Sequence, residues 1–145
     1  MRKDAAYLEN INLQPTTCNL CDGMVVLTTN AIIYGKECGS GKMYFCTECK
    51  AFVDTQKKRP TMAMGILANK EMRVMKHNCY EVFDRRWKSE ATLEDRKAKR
   101  KLAYKKLAEK LNIPVEYCHF SYFNMSLLKE AYGILTHRDF EEKTD

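Results

Sequence analysis

The chain has 145 residues, 45% of them hydrophobic and 30% charged, with a formal net charge of +6. That length excludes two large domains, and the balance of apolar and charged residues excludes a disordered chain. No apolar run approaches the roughly 18 residues of a membrane-spanning helix, and Met1-Arg2-Lys3-Asp4 lacks the apolar stretch of an export signal, so a cytoplasmic protein without a membrane partner is expected.

Residues 1–17 are of mixed polarity and end in Pro15-Thr16-Thr17, which reads as an N-terminal arm. Between Met24 and Gln56, short β-rich runs (Met24 to Leu27, Ala31 to Tyr34, Met43 to Phe45, Ala51 to Val53) alternate with turn signals at Asp22-Gly23, Thr29-Asn30 and Gly39-Ser40-Gly41. This pattern predicts a small antiparallel sheet over 18–60, with the charged stretch 54–61 as the connector leaving it. A helical part is expected over 61–136. Apolar residues at helical spacing (Met72, Met75, Cys79, Val82, Phe83, Trp87) predict an amphipathic helix over about 68–88. A second helix starts at Thr92 with Asp95 three residues on, carries Leu102, Ala103, Leu107 and Leu111, and stops at Pro114. A third follows the cap Asn124 with Leu127, Leu128, Ala131, Ile134 and Leu135, and residues 137–145 read as a polar tail. The expected core combines Met72, Met75, Val82, Phe83, Trp87, Leu107, Leu111, Leu128 and Leu135.

Seven cysteines in a chain expected in a reducing compartment point to metal or thiol chemistry and not to disulfides. Four of them form two C-x2-C pairs, Cys18/Cys21 and Cys46/Cys49, separated by 24 residues. Two thiolates at that spacing sit on one tight turn and face one point, so two such turns supply the tetrahedral set that zinc prefers. One structural Zn2+ is therefore expected at Cys18, Cys21, Cys46 and Cys49. A redox pair would want a βαβ context, which the hairpin-like segments here do not provide. Cys38 lies at a hairpin tip, and Cys79 and Cys118 fall among apolar residues, where free thiols are the ordinary outcome.

His77, His119 and His137 lie in separate segments without a His-Glu-x-x-His pattern or a nucleophile elbow, and a four-thiolate ion has no open position for substrate. No enzyme is expected. Gly35 to Lys42 evokes a phosphate loop, but five residues separate Gly35 from Gly41, and Met43 stands where Ser or Thr should hold magnesium. Between residues 96 and 106, seven of eleven positions are basic (Arg96, Lys97, Lys99, Arg100, Lys101, Lys105, Lys106) and none is acidic. On a helix these charges form a candidate surface for a partner or a nucleic acid.

The order of features, C-x2-C, Ala31-Ile32-Ile33-Tyr34-Gly35, the second C-x2-C followed by Ala51-Phe52-Val53, Gly65 to Arg73, Phe83-Asp84-Arg85-Arg86-Trp87 and Cys118-His119, resembles the zinc-finger-containing domain family of small bacterial, phage and mobile-element proteins. The match spans about residues 18–135, and Asp54 and Gln56 stand where Gly and His are expected in relatives. The resemblance implies a cysteine zinc site and no established enzyme activity. Its mobile-element company implies counter-defence, such as inhibition of an RNA-guided CRISPR nuclease. The expectation as a whole is an α+β protein, a zinc-ribbon-like sheet with two or three packed helices. It would act as a non-catalytic binding protein on a host protein or nucleoprotein complex, with direct DNA or RNA binding through the basic helix as the alternative.

Overall fold

A computed structural model describes residues 2–137 and 140. The chain divides into two compact units, Ile11–Arg73 and Met1–Asn10 with Val74–Asp145. The sequence had suggested divisions at 17/18 and 60/61.

The first unit holds a three-stranded antiparallel sheet of β1 (Val25–Thr29), β2 (Lys42–Cys46) and β3 (Phe52–Asp54), in the order β1-β2-β3. Val25 pairs with Cys46 and Leu27 with Tyr44, while Tyr44 pairs with Val53. Because side chains alternate along a strand, this register puts Val25, Tyr44, Cys46 and Val53 on one face. They are buried there with Cys18, Ala51, Ala63 and Leu67. The outer edge of β3 is continued by bridges from Phe52 to Ala68 and from Thr55 to Ala63. On the opposite face, the Arg73 guanidinium lies 4.1 Å from the Phe52 ring centroid.

One expected strand is a helical turn instead. Ala31 to Tyr34 forms α1 (Ala31–Tyr34), in which the N–H groups of Ile33 and Tyr34 donate to Asn30 O and that of Gly35 donates to Ala31 O. The reason is tertiary: Asn30 is buried, and its side-chain amide donates to Cys38 O and accepts from Cys38 N, which turns the chain before a second strand can pair. Gly35 then ends the turn at φ 81°, a conformation that glycine adopts without a side-chain clash. The Tyr34 hydroxyl donates to Asp54 at 2.8 Å.

In the other unit, residues 3–10 form a 3-10 helix with Ala5 and Leu8 buried. It is held by a fork from Arg2 to both carboxylate oxygens of Glu130. The Tyr7 hydroxyl donates to Tyr122 O at 2.8 Å and accepts from Asn124 N at 2.7 Å. Three longer helices follow: α2 (Lys70–Asp84), α3 (Leu93–Leu111) and α4 (Met125–Thr136). The first turn of α2 belongs to the sheet unit. Asn69 Oδ1 accepts from Met72 N at the start of α2, and the helix gives way to turns after Asp84, four residues before the expected end. Thr92 Oγ1 accepts from Asp95 N at 3.0 Å and Asn124 Oδ1 from Leu127 N at 3.0 Å, so both expected caps form. Asn112, left-handed at φ 56°, closes α3 before Pro114.

Of the expected core, Met72, Phe83, Leu107, Leu111, Leu128 and Leu135 are buried, whereas Met75, Val82 and Trp87 are half-buried. The helical unit is centred on Phe83 together with aromatic rings that periodicity did not single out. Phe120 meets Phe83 edge-on at 5.5 Å, Tyr80 at 4.9 Å and Phe123 at 5.9 Å, the perpendicular arrangement ring quadrupoles favour. Of the expected polar tail, only His137 and Phe140 lie among the described residues, and Phe140 is fully buried. Among the described residues, no helix is long and apolar enough to cross a membrane.

Candidate metal centre

Each C-x2-C pair opens a turn of the same design. Cys18 N donates to Gly23 O and accepts in return, through its carbonyl, from Asp22 N; Cys46 N donates to Ala51 O and its carbonyl accepts from Lys50 N. The fifth residue of each turn is left-handed, Asp22 at φ 64° and Lys50 at φ 68°. The backbone thereby curls around the sulfurs, and N–H groups point at them: Leu20 N to Cys18 Sγ at 3.3 Å, Gly23 N to Cys21 Sγ at 3.3 Å, Cys49 N to Cys46 Sγ at 3.4 Å. Such donors stabilise thiolate charge and fix the ligands in place.

The β1–β2 pairing brings the two turns together. All four sulfurs lie within 4.8 Å of one another, with Cys21 and Cys46 3.5 Å apart and Cys18 and Cys49 3.7 Å apart. A tetrahedron with zinc–sulfur bonds of about 2.3 Å has edges of about 3.8 Å, so the cluster has the dimensions for one ion. Cys18 and Cys46 are buried while Cys21 and Cys49 are exposed. Burial opposes ionisation of Cys46, but hydrogen bonds from the backbone of Cys49 and Glu48 and from the neighbouring thiols outweigh it and draw the group down to about 6. Burial pushes Cys18 up. The four cysteines fit one structural Zn2+, which would neutralise thiolate charge that crowded sulfurs cannot carry alone.

The family model of a zinc-finger-containing domain matches residues 14–138. The chain belongs to that family. No curated protein and no solved structure matches the chain. A zinc-stabilised domain thus rests on two independent findings, the family match and the sulfur geometry.

Two further residues support the site, Asn19, which has no mark in the sequence, and Gly23, which reads there only as part of a turn signal. The Asn19 side chain, between the first two ligands, donates to Leu67 O and accepts from Leu67 N, tying the first turn to the strand-like segment beside β3. Gly23 is required by close approach: a Cβ there would stand 2.4 Å from Glu48 Cγ, 2.7 Å from Glu48 Cβ and 3.0 Å from Cys46 Sγ. Its signal in the sequence is a glycine directly after a knuckle. The remaining thiols stand apart from the cluster. Cys38 is exposed, and burial pushes Cys79 and Cys118 up to about 12.

The basic stretch lies on α3 and splits into two groups. Arg96 donates to Glu90 O, Lys99 pairs with Glu90 at 2.9 Å, and Lys106 donates to Phe140 O beneath the Phe140 ring. Lys97, Arg100, Lys101 and Lys105 are exposed and have no carboxylate partner among the described residues. Arg100 instead lies over the rings of Trp87 and Tyr104, at 5.6 and 5.2 Å. A cavity of about 680 Å³ is lined on α3 by Asp95, Ala98, Lys99, Leu102 and Ala103. Its cations are engaged, Arg85 with Glu81 and Lys99 with Glu90, both at 2.9 Å. His77 is exposed, 3.7 Å from Glu81, and His119 packs on Tyr122, on a different segment of the same unit.

Proposed function

We propose that the chain is a non-catalytic, zinc-stabilised binding protein that acts on a host nucleic-acid-handling or defence protein or its nucleoprotein complex. The observation that carries this reading is the outer face of α3. Lys97, Lys101 and Lys105 have no carboxylate partner there among the described residues, and Leu102 is 48% exposed. By contrast, α2 and its C-terminal turn pair Arg85 with Glu81 and Lys88 with Asp84. Lysines without a carboxylate partner among the described residues, beside an apolar side chain and an arginine stacked on aromatic rings, suit an acidic protein surface: charge steers the encounter and the apolar and planar groups hold it. The closed four-thiolate set supports a structural role for the ion and leaves no coordination position for substrate. The sharpest form is an anti-CRISPR inhibitor that binds an RNA-guided Cas nuclease and blocks its DNA engagement. Support for that form is the phage and mobile-element company of the family resemblance.

A second reading, direct DNA or RNA binding, is favoured by the row Lys97, Lys101 and Lys105, which recurs every four residues, about 6 Å apart along the helix, and can track phosphates. The deciding experiment passes the zinc-loaded protein over a sizing column at physiological salt, alone, with free DNA, and with a Cas nuclease–guide complex. Co-elution with the complex but not with DNA, lost in the K97E/K101E/K105E variant, is the expected result. Co-elution with DNA alone moves the assignment to the second reading, and elution of the protein by itself in every run overturns the protein-directed reading.

A further inference from the structure

At the end of the sheet away from the cysteines, two loops lie side by side: residues 35–41, which lead into β2, and residues 56–62, which follow β3. Only two polar residues are buried among the described residues, Asn30 and Thr55, and both fix these loops. Asn30 holds Cys38 through two hydrogen bonds, of 2.6 and 3.0 Å. Thr55 shares a 2.6 Å hydrogen bond with Ser40 and donates to Lys42 O. The second loop is closed on itself by Gln56 N to Met62 O and Met62 N to Arg59 O, both 2.9 Å. A Cβ on Gly39 would lie 3.9 Å from Lys57 Cε, so the tips are neighbours.

These loops and the first residue of β2 carry Lys36, Lys42, Lys57, Lys58 and Arg59, all exposed and, among the described residues, none paired with a carboxylate; Arg59 donates within its own loop to Gln56 Oε1. Glu37 is the sole acid among them, and its carboxylate folds against Gly41, 3.2 Å from where a Cβ would be. We infer that the paired loops are a binding surface for the phosphate backbone of a nucleic acid. Buried hydrogen bonds have fixed the loops in advance, so the cations are presented at little ordering cost. The choice of nucleic acid over an acidic protein follows from what the tips lack. From Lys36 to Lys42 and from Gln56 to Thr61 there is no large aliphatic or aromatic side chain, and Met62, which ends the second loop, is half-buried, whereas a protein interface needs an apolar centre depleted in lysine. Protein–nucleic acid interfaces are polar and strongly positive. The exposed left-handed glycine Gly39 presents a tip without a bulky side chain, over which a strand can lie close to the backbone.

The surface goes beyond the protein-directed reading and stands without it. Backbone contact of this kind has dissociation constants of roughly 10⁻⁴ to 10⁻⁶ M at physiological salt, too weak to survive a sizing column. The test is therefore an equilibrium one: fluorescence anisotropy of labelled single-stranded and duplex oligonucleotides between 50 and about 200 mM salt, with zinc-loaded full chain. The K57E/K58E/R59E variant is compared with K97E/K101E/K105E, which changes net charge equally. The loop variant is expected to bind at least tenfold more weakly at the low-salt end and to lose more than the helix variant. Its log K against log salt slope should be shallower by about 2 on single strands and about 3 on duplex. Equal zinc content shows that the fold is intact, and K57Q/K58Q/R59Q repeats the test without added acids. No binding by the wild type at 50 mM salt, a loop variant that binds as the wild type does, a larger loss from the helix variant, or equal competition by polyglutamate would each overturn the assignment.

Discussion

Gly23 shows how a single absent methyl group sustains the metal centre. The second knuckle packs so closely that a Cβ would meet Glu48 Cβ at 2.7 Å and Cys46 Sγ at 3.0 Å, and a Cβ, unlike the end of a flexible side chain, cannot swing away. Gly23→Ala is expected to lower stability by about 1 to 3 kcal/mol and to speed zinc transfer to a competing chelator, read by thermal unfolding and by metallochromic dye. Gly35→Ala separates strain from ligand geometry. Its position has φ 81° and no atom within 4 Å of an added Cβ, so it should cost about 1 kcal/mol of stability and leave zinc transfer unchanged. If both variants released zinc at the same faster rate, the close approach at Gly23 would not be what shapes the site. The ligands themselves were legible in the sequence because two C-x2-C pairs state the chemistry locally. The supports were not, because Asn19 meets Leu67, 48 residues away, and spacing carries no trace of that contact.

At the scale of the elements, legibility follows how local the deciding interaction is. α3 and α4 start where Thr92 and Asn124 stand because each cap bonds a backbone N–H three residues on, an interaction contained within one turn. Ala31 to Tyr34 has no such internal sign. Four consecutive apolar or aromatic residues fit a strand or a helix, and the helical turn is selected by Asn30 reaching Cys38 and Asp54. The 3-10 helix over 3–10 is likewise fixed from outside, by Glu130 and Tyr122. The two loops with exposed cations read separately in the sequence, 35–42 as a failed phosphate loop and 54–61 as a charged connector, because Lys36, Lys42 and Lys57 to Arg59 form no single run and meet only through β2–β3 pairing. A local cap also has a local energy. Thr92→Ala removes the acceptor for Asp95 N and should lower thermal stability by about 1 kcal/mol, with Thr92→Ser retaining most of it. A T92A melt indistinguishable from wild type would mean that water replaces the hydroxyl at no cost.

At the scale of the whole molecule, the two units rest on different sources of stability. The helical unit buries Phe83, Phe120, Phe123 and Phe140 with Leu107, Leu111, Leu127, Leu128 and Leu135, enough large side chains to hold three helices by packing. The sheet unit of 63 residues, 11–73, buries fewer large side chains, Met43, Tyr44, Phe52, Leu67 and Met72, and two of its core members, Cys18 and Cys46, are metal ligands. A structural zinc ion contributes about 10 to 16 kcal/mol to folding in small fingers, a sum that three short strands and so few large side chains do not replace. All four ligands lie within residues 18–49, so the ion cross-links only the sheet unit. Chelation should therefore strip amide-exchange protection from β1, β2, β3 and both knuckles, while α3 and α4 keep most of theirs, and zinc addition should restore the sheet. Hydrogen exchange resolved by segment makes the distinction. Simultaneous loss of protection in α3 and α4 would show that the aromatic core is not self-sufficient and that one ion sustains the entire chain.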